Sequence, residues 1–246
     1  MEAMRTMDNE TTRLNKYIAQ CGFCSRRDAD KLIEKKAVTV NGKTAHPGMQ
    51  VTDRDEIAVY GKPLQNREKT VVLAYYKPVG VTCTARDKHA KVKVQDNMRY
   101  PLRVTYAGRL DKDSEGLLLM TNDGELIDAM MRGANHHEKE YVVKVDKILT
   151  EDAIARMREG IYLEELGLTT RPCEITKTGE KTMNMILTQG VNRQIRRMCE
   201  AVGYHVRSLK RTRVMSVHLA NLKPGEYREL SEEETKLLYS LCKLQR

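Results

Sequence analysis

The chain has 246 residues, 40% of them hydrophobic, a formal charge of +9 and a pI of about 9.2. That length holds one large domain, or a large and a small one, with a real core, and the basic balance favours a polyanionic partner, nucleic acid before a membrane surface. No window is long and apolar enough to span a bilayer, and MEAMRTMDNE lacks the apolar centre of a signal peptide, so the expected compartment is the cytoplasm, with residues 1–12 a frayed tail.

The first predicted element is a helix carrying Leu14, Tyr17, Ile18 and Cys21 at helical spacing, stopped by Gly22. Ser25 caps a second helix, with Asp28 three residues on in an acidic variant of the capping box. Ala29, Leu32 and Ile33 form its apolar face; Arg26, Arg27, Lys31, Lys35 and Lys36 supply charge. VTVNGK then alternates into Asn41-Gly42, a hairpin signal, and a further strand runs over Glu56–Tyr60. Cys21 and Cys24 form a C-x-x-C with no second pair and no His at finger spacing, so no metal and no disulfide is expected. With no Trp and one Phe in the chain, base stacking would fall to Tyr, His or Arg.

Residues 63–70 are polar and read as a linker. Then VVLAYYKPVGVTCT is β-branched and aromatic, a strand ending in a Lys77–Gly80 turn. A strand over Arg103–Ala107 leads into GRLDKDSEG, and GLLLMT follows as a buried strand. Asn122 or Asp123 caps a helix that ends at Gly133. His136 and His137 read as a surface loop. KEYVVKVDK is a strand, TEDAIARMREG a helix capped by Thr150, TMNMILT a strand, and NRQIRRMCEAVGY a helix capped by Asn192 and stopped by Gly203. Strands are expected around Val206–Leu209 and Val214–Leu219, and Ser231 with Glu234 boxes a final helix. Strands outnumber helices after the linker and come partly in adjacent pairs. That predicts an α+β fold with a mainly antiparallel mixed sheet. No nucleotide-binding glycine loop is present.

Two stretches carry candidate chemistry. In NRQIRRMCEAVG, Ile195, Met198, Cys199 and Val202 make one apolar stripe, while Arg193, Arg196 and Arg197 share an adjacent face. Such guanidinium groups serve equally as a solvated basic face or as bidentate partners of a carboxylate or phosphate. Arg207, Lys210, Arg211 and Arg213 extend the basic set toward a groove that tracks a phosphate backbone. In GRLDKDSEG, Arg109, Asp111, Lys112 and Asp113 crowd a loop between two strands. The residues alone leave open whether these acids hold the turn together or do chemistry; Asp111 with Asp113 or Glu115 would be the pair a glycosidase needs.

RLNKYIAQCGFCSRRDADKLIEKKAVTVNGK resembles the S4 RNA-binding domain, through the paired Arg after a capping Ser and the V-x-V-N-G-K hairpin. The resemblance covers Arg13–Lys62 and implies that Arg26, Arg27, Lys31 and Lys43 face RNA as phosphate contacts rather than base readers. GRLDKDSEGLLLMTNDG resembles the catalytic motif of the RsuA-type pseudouridine synthases; KPVG, KEYVV, NRQIRRM and YRELSEEE agree in chain order. NRQIRRMCEAVGY and HEKEY look most similar to the RluF-like members, which act on large-subunit ribosomal RNA. The resemblance implies an S4 domain over 13–62 and a catalytic domain over 71–246. It also implies isomerisation of uridine to pseudouridine in 23S ribosomal RNA, with tRNA open as a second substrate, by a monomer without cofactor or metal. On the matching positions, Asp111 is the nucleophile, Arg196 the cation paired with it, and Tyr141 the aromatic against the uracil. Arg109 lies close to the target nucleotide, and Lys139, two residues before Tyr141 and on the same strand face, is a supporting RNA contact. Arg193 and Arg197 bind RNA, and Asp113 and Glu115 shape the loop. The rival from another class is a non-catalytic S4-type RNA-binding or ribosome assembly factor, and a third reading is a nucleoside glycosylase.

Overall fold

The computed structural model describes residues 11–65, 67–84, 91–132 and 136–244. Residues 1–10 of the expected tail and Gly133, the expected helix stop, lie outside these. The chain divides into two compact units after Thr70.

The first unit runs β1 (Thr12–Arg13), α1 (Leu14–Gln20), α2 (Arg26–Glu34), β2 (Val38–Val40), β3 (Lys43–Thr44), β4 (Gln50–Val51), β5 (Ile57–Val59) and β6 (Lys62–Pro63). A sheet in the order β3-β2-β5-β6 is antiparallel throughout, and β1 pairs with β4. Ser25 Oγ accepts from Asp28 N at 3.2 Å, and Gly22 leaves α1 at φ +74°; cap and stop stand where the residue chemistry puts them. Leu14, Ile18, Ala29, Ile33, Val38 and Val59 close the core, with Cys21 and Cys24 packed against it. Burial pushes the Cys21 thiol up to about 11, which disfavours the thiolate that metal binding or redox chemistry needs. Part of the stretch read as a linker packs on this unit. Leu64 joins its core, the Arg67 guanidinium lies 5.0 Å from the Tyr17 ring centre, and Glu68 N donates to Gln20 O at 3.2 Å.

The second unit runs β7 (Val72–Lys77), α3 (Val94–Asn97), β8 (Thr105–Ala107), β9 (Glu115–Thr121), α4 (Gly124–Met131), β10 (Lys139–Val145), α5 (Glu151–Glu159), β11 (Tyr162–Leu163), β12 (Leu168–Thr169), β13 (Glu174–Gly179), β14 (Thr182–Leu187), α6 (Gln194–Ala201), β15 (Val206–Val214), β16 (Val217–His218), β17 (Tyr227–Glu229) and α7 (Glu232–Leu241). One sheet has the order β13-β14-β10-β15-β9-β7-β17, with β8 on β9 and β16 on β15. Its pairings are antiparallel except β9 with β15. The fold is α+β, as the element order predicts.

Both faces of the centre are covered, which explains the unbroken apolar run. Leu117 and Leu119 pack with Leu126 of α4 and Leu238 of α7, while Leu118 and Met120 pack with Leu73, Tyr75 and Val94. A third cluster sets Ile154, Met157, Ile195 and Met198 against Met183, Met185 and Leu209. In this unit three described helix starts carry side-chain caps: Asp123 on α4, Thr150 on α5, and the Ser231–Glu234 box on α7. The start of α6 differs from expectation. Arg193, not Asn192, is its N-cap, in the left-handed region at φ +51° and with no side-chain cap bond. The two strands expected around 206–219 are one nine-residue strand and a short partner, and β13 has no counterpart in the sequence reading.

Candidate active site

The loop Gly108–Ser114 joins β8 to β9 and carries Asp111. It is held through its backbone by cations from three elements. From the end of β7, the fully buried Lys77 Nζ donates to Ser114 O at 2.7 Å and Pro78 O at 2.8 Å. From α6, Arg196 Nη2 donates to Asp113 O at 2.9 Å and to Ser114 Oγ at 3.3 Å. From β15, the buried Arg211 Nε donates to Leu117 O at 2.7 Å, and its Nη1 reaches Arg109 O at 3.4 Å. Gly80 N adds a bond to Lys112 O at 2.7 Å. Burial pushes the Lys77 ammonium down, against the opposing pull of Cys83, Asp111 and Asp113. Buried charges of this kind persist when hydrogen bonds satisfy them. Their effect is a stiff loop in a positive field.

Asp111 is 32% exposed at its side chain, with Oδ2 4.0 Å from Arg193 Nη1. Arg193 also forks onto Asp113, at 3.3 Å to Oδ1 and 3.2 Å to Oδ2. The expected pair between Asp111 and Arg196 is not formed. Arg196 Nε lies 3.4 Å from Asp113 Oδ2, and the rest of its guanidinium binds backbone and Ser114. The reason is geometric: Arg196 is buried against the back of the loop, whereas Arg193, one turn earlier at the helix start, stands at its front.

A cleft of about 490 Å³ opens over Asp111, lined by Arg109, Leu110 and Lys112 of the loop, His137, Lys139 and Tyr141, the 187–195 segment before and into α6, and Leu209 and Arg211. Ligand pockets of small-molecule size span roughly 300–1,000 Å³. Lys139 and Tyr141 share one face of β10, as their spacing predicts, and both line the cleft. Burial, then the charge of Arg211, lowers Lys139 to about 8. Burial also lowers His137, whose Nε2 is 3.3 Å from Ala129 O. This histidine belongs to the cleft wall and not to a surface loop.

The other expected residues divide. Arg109 is exposed at the cleft. Arg197 points elsewhere: it pairs with Glu165, donates to Asn192 O at 3.2 Å, and lines a second hollow beside Gly160 and Glu200. Arg213 is taken up by Glu138 and Glu140 at 3.0 and 2.9 Å, and Lys210 lies 5.0 Å from the Tyr76 ring centre, so the basic run of β15 is not a common phosphate groove. Arg26, Arg27, Lys31 and Lys43 are exposed on the first unit. The sequence reading placed Lys77 only in a turn motif, Ser114 only in a loop-shaping stretch and Arg211 only in a basic run. A lysine closing an apolar strand was the available signal for Lys77.

An RNA pseudouridylate synthase family description matches residues 71–201, and an S4 domain description matches residues 12–57. The chain belongs to the RNA pseudouridylate synthase family, whose members are isomerases. It is 43% identical over 237 residues to the dual-specificity RNA pseudouridine synthase RluF of Escherichia coli, covering 96% of this chain and 81% of that one. To the ribosomal large subunit pseudouridine synthase B of Bacillus subtilis it is 38% identical over 236 residues, covering 94% and 96%. A crystal structure described as a pseudouridylate synthase superposes with a TM-score of 0.68 at 31% identity, covering 92% of this chain and 99% of that one.

Proposed function

We propose that this chain isomerises a specific uridine of 23S ribosomal RNA to pseudouridine, with the Asp111 carboxylate doing the chemistry. The dual specificity in a relative's name supports a second RNA substrate, for which tRNA is our reading. We read the protein as acting as a monomer, in the cytoplasm where ribosomal RNA is.

The observation that carries the reading is Asp111 on the wall of a nucleotide-sized cleft, on a loop whose Ser114, Asp113 and Arg109 carbonyls are held by Lys77, Arg196 and Arg211. Isomerisation breaks the N1–C1′ bond, turns the uracil, joins C5 to C1′ and moves the C5 proton to N1 by way of the site. Asp111 either adds to C1′ or takes a proton from the ribose as uracil departs; both need an ionised carboxylate. The stiff loop holds the carboxylate at the reacting carbon. Tyr141 offers a ring for the uracil and a hydroxyl for proton transfer, and Lys139 stands two residues away on the same face. Arg109, exposed at the rim, is suited to the target phosphate or to the gap the flipped base leaves.

Ribosomal RNA tritiated at uracil C5 tests this. The protein should release tritium into water and leave a carbodiimide-dependent stop to reverse transcription, and Asp111→Asn should abolish both. Free uracil in solution would make the protein a glycosylase. RNA binding with neither product would leave a non-catalytic binding factor.

A further inference from the structure

The first unit builds the same two-residue hairpin turn twice, each time with both central residues left-handed. Between β2 and β3 these are Asn41 at φ +51° and Gly42 at φ +76°, the residue types suited to that turn. Between β5 and β6 they are Tyr60 at φ +51° and Gly61 at φ +73°. A bulky aromatic in that region is strained, and Tyr60 gains no burial in return. It is 68% exposed, more than any other large hydrophobic among the described residues. Strain retained at an exposed side chain points from structure to function.

Its neighbourhood says which function. Tyr60 N donates to Ala37 O at 2.8 Å, which places Tyr60 at the C-terminal end of α2 beside Lys35 and Lys36. At the N-terminal end, two residues before the Ser25 cap, stands Phe23, 48% exposed. Between them Arg27, Lys31 and Lys35, all exposed, recur every fourth residue, a stripe with steps of about 6 Å along the axis. The acids nearby are engaged or off the stripe: Asp28 bonds Ser25 and Lys31, Asp30 accepts from Asn15 at 2.8 Å, and Glu34 shares the Arg26–Asp30 side.

We propose that this face of the first unit binds an unpaired stretch of RNA, with Arg27, Lys31 and Lys35 on its phosphates and with Phe23 and Tyr60 as stacking platforms for a base at either end. The proposal rests on reading the unit as RNA-binding and replaces a phosphate-only surface with one that selects strand state. A basic stripe serves duplex and single strand alike, whereas two exposed rings have a use only where bases are unstacked.

The test uses the full-length protein, a fluorescent twelve-nucleotide unpaired RNA and a duplex of equal length, with affinity measured across a salt series. Tyr60→Asn restores the Asn-Gly turn, so thermal stability should hold or rise. Its affinity for the unpaired RNA should fall about 5- to 150-fold, the range for one lost base stack, with the salt slope and the duplex affinity unchanged. Phe23→Ser should behave likewise. Arg27→Gln with Lys35→Gln should weaken both RNAs and flatten the salt slope. Because the second unit also meets RNA, 5-iodouridine crosslinking locates the contact; adducts on the peptides holding Phe23 and Tyr60 are expected. If both aromatic variants bind unpaired RNA as the parent does while the basic variant weakens, stacking is overturned and a phosphate surface remains. If the basic variant also keeps the parent's affinity and slope, the RNA-binding reading of the unit falls with it.

Discussion

Asp111 and Asp113 lie two residues apart in one loop and have different surroundings. Asp113 takes the fork of Arg193 and the Nε of Arg196, while Asp111 meets only the far edge of Arg193. Burial raises the Asp113 carboxyl, but the Arg193 hydrogen bond and the charges of Arg196 and Arg193 outweigh it and hold it below the ordinary carboxylate range. Asp113 therefore anchors Arg193 in front of Asp111. Because its folded pKa is depressed, its stabilisation is present above the ordinary carboxylate pKa and is lost as pH falls through the folded value. Asp113→Asn should cost no more than about 1 kcal/mol in urea unfolding at pH 7, since the pair is partly solvated, and the difference from the parent should vanish toward pH 2. Turnover should fall more steeply than stability, because Arg193 is released. Lys139 has the opposite sign. Its pKa is lowered to about 8, so between about 8 and the ordinary lysine value near 10.4 the unfolded chain binds more protons. Its cost to the fold is full at neutral pH and fades as pH rises through that window. Lys139→Met should raise the melting temperature at pH 7, with the gain shrinking toward pH 10, while activity drops.

At the scale of elements, the site depends on how closely β9 and β15 approach. Gly116 pairs with Arg211 in the parallel register and has φ +106°, and a Cβ there would collide with the Arg211 carbonyl oxygen. The obstructing atom is backbone, so no flexible side chain can move to make room. Gly116→Ala should destabilise by about 2–4 kcal/mol, measured by urea unfolding. It should also abolish activity, because Arg211 would lose its hold on Leu117 O and Arg109 O. The same elements show what a sequence reader can and cannot see. The Ser231 box, the Asn41-Gly42 turn and the apolar run of β9 are local signals and were read correctly. β13 escaped because only Ile175 of its six residues is buried. β15 is one strand where two were expected; its charges bond to Leu117 O, Glu138, Glu140 and the Tyr76 ring, partners far along the chain that local spacing does not show. The partner of Arg196 was misassigned for a related reason. Spacing puts three arginines on one helix face, but which reaches the front of the loop depends on the left-handed start at Arg193, and no propensity encodes that.

At the scale of the whole molecule, each unit closes its own hydrophobic core. Leu14, Ile18, Val38 and Val59 belong to one cluster, and no described residue beyond Thr70 is a member of it. The second unit has three clusters on a broad sheet. Burial on folding grows with chain length, and domains of about 60 residues are marginal, so the first unit should have the smaller margin and feel a core deletion first. Ile18 is fully buried. Ile18→Ala should cost about 2–5 kcal/mol locally, a large part of such a domain's total. Hydrogen exchange read segment by segment separates local from shared stability. The amides of β2 and β5 should lose protection by a factor of about 30 or more, while those of β9 and β10 keep theirs. The variant should still release tritium from a short RNA that only the cleft engages, and should lose affinity for longer RNA whose unpaired flank reaches the first unit. Equal loss of protection in β9 would mean that the two cores unfold as one cooperative block. In that case the basic face of α2 and the Asp111 loop would share a single stability, and weak RNA binding by first-unit variants would have to be separated from unfolding by Tyr60→Asn, which keeps the fold.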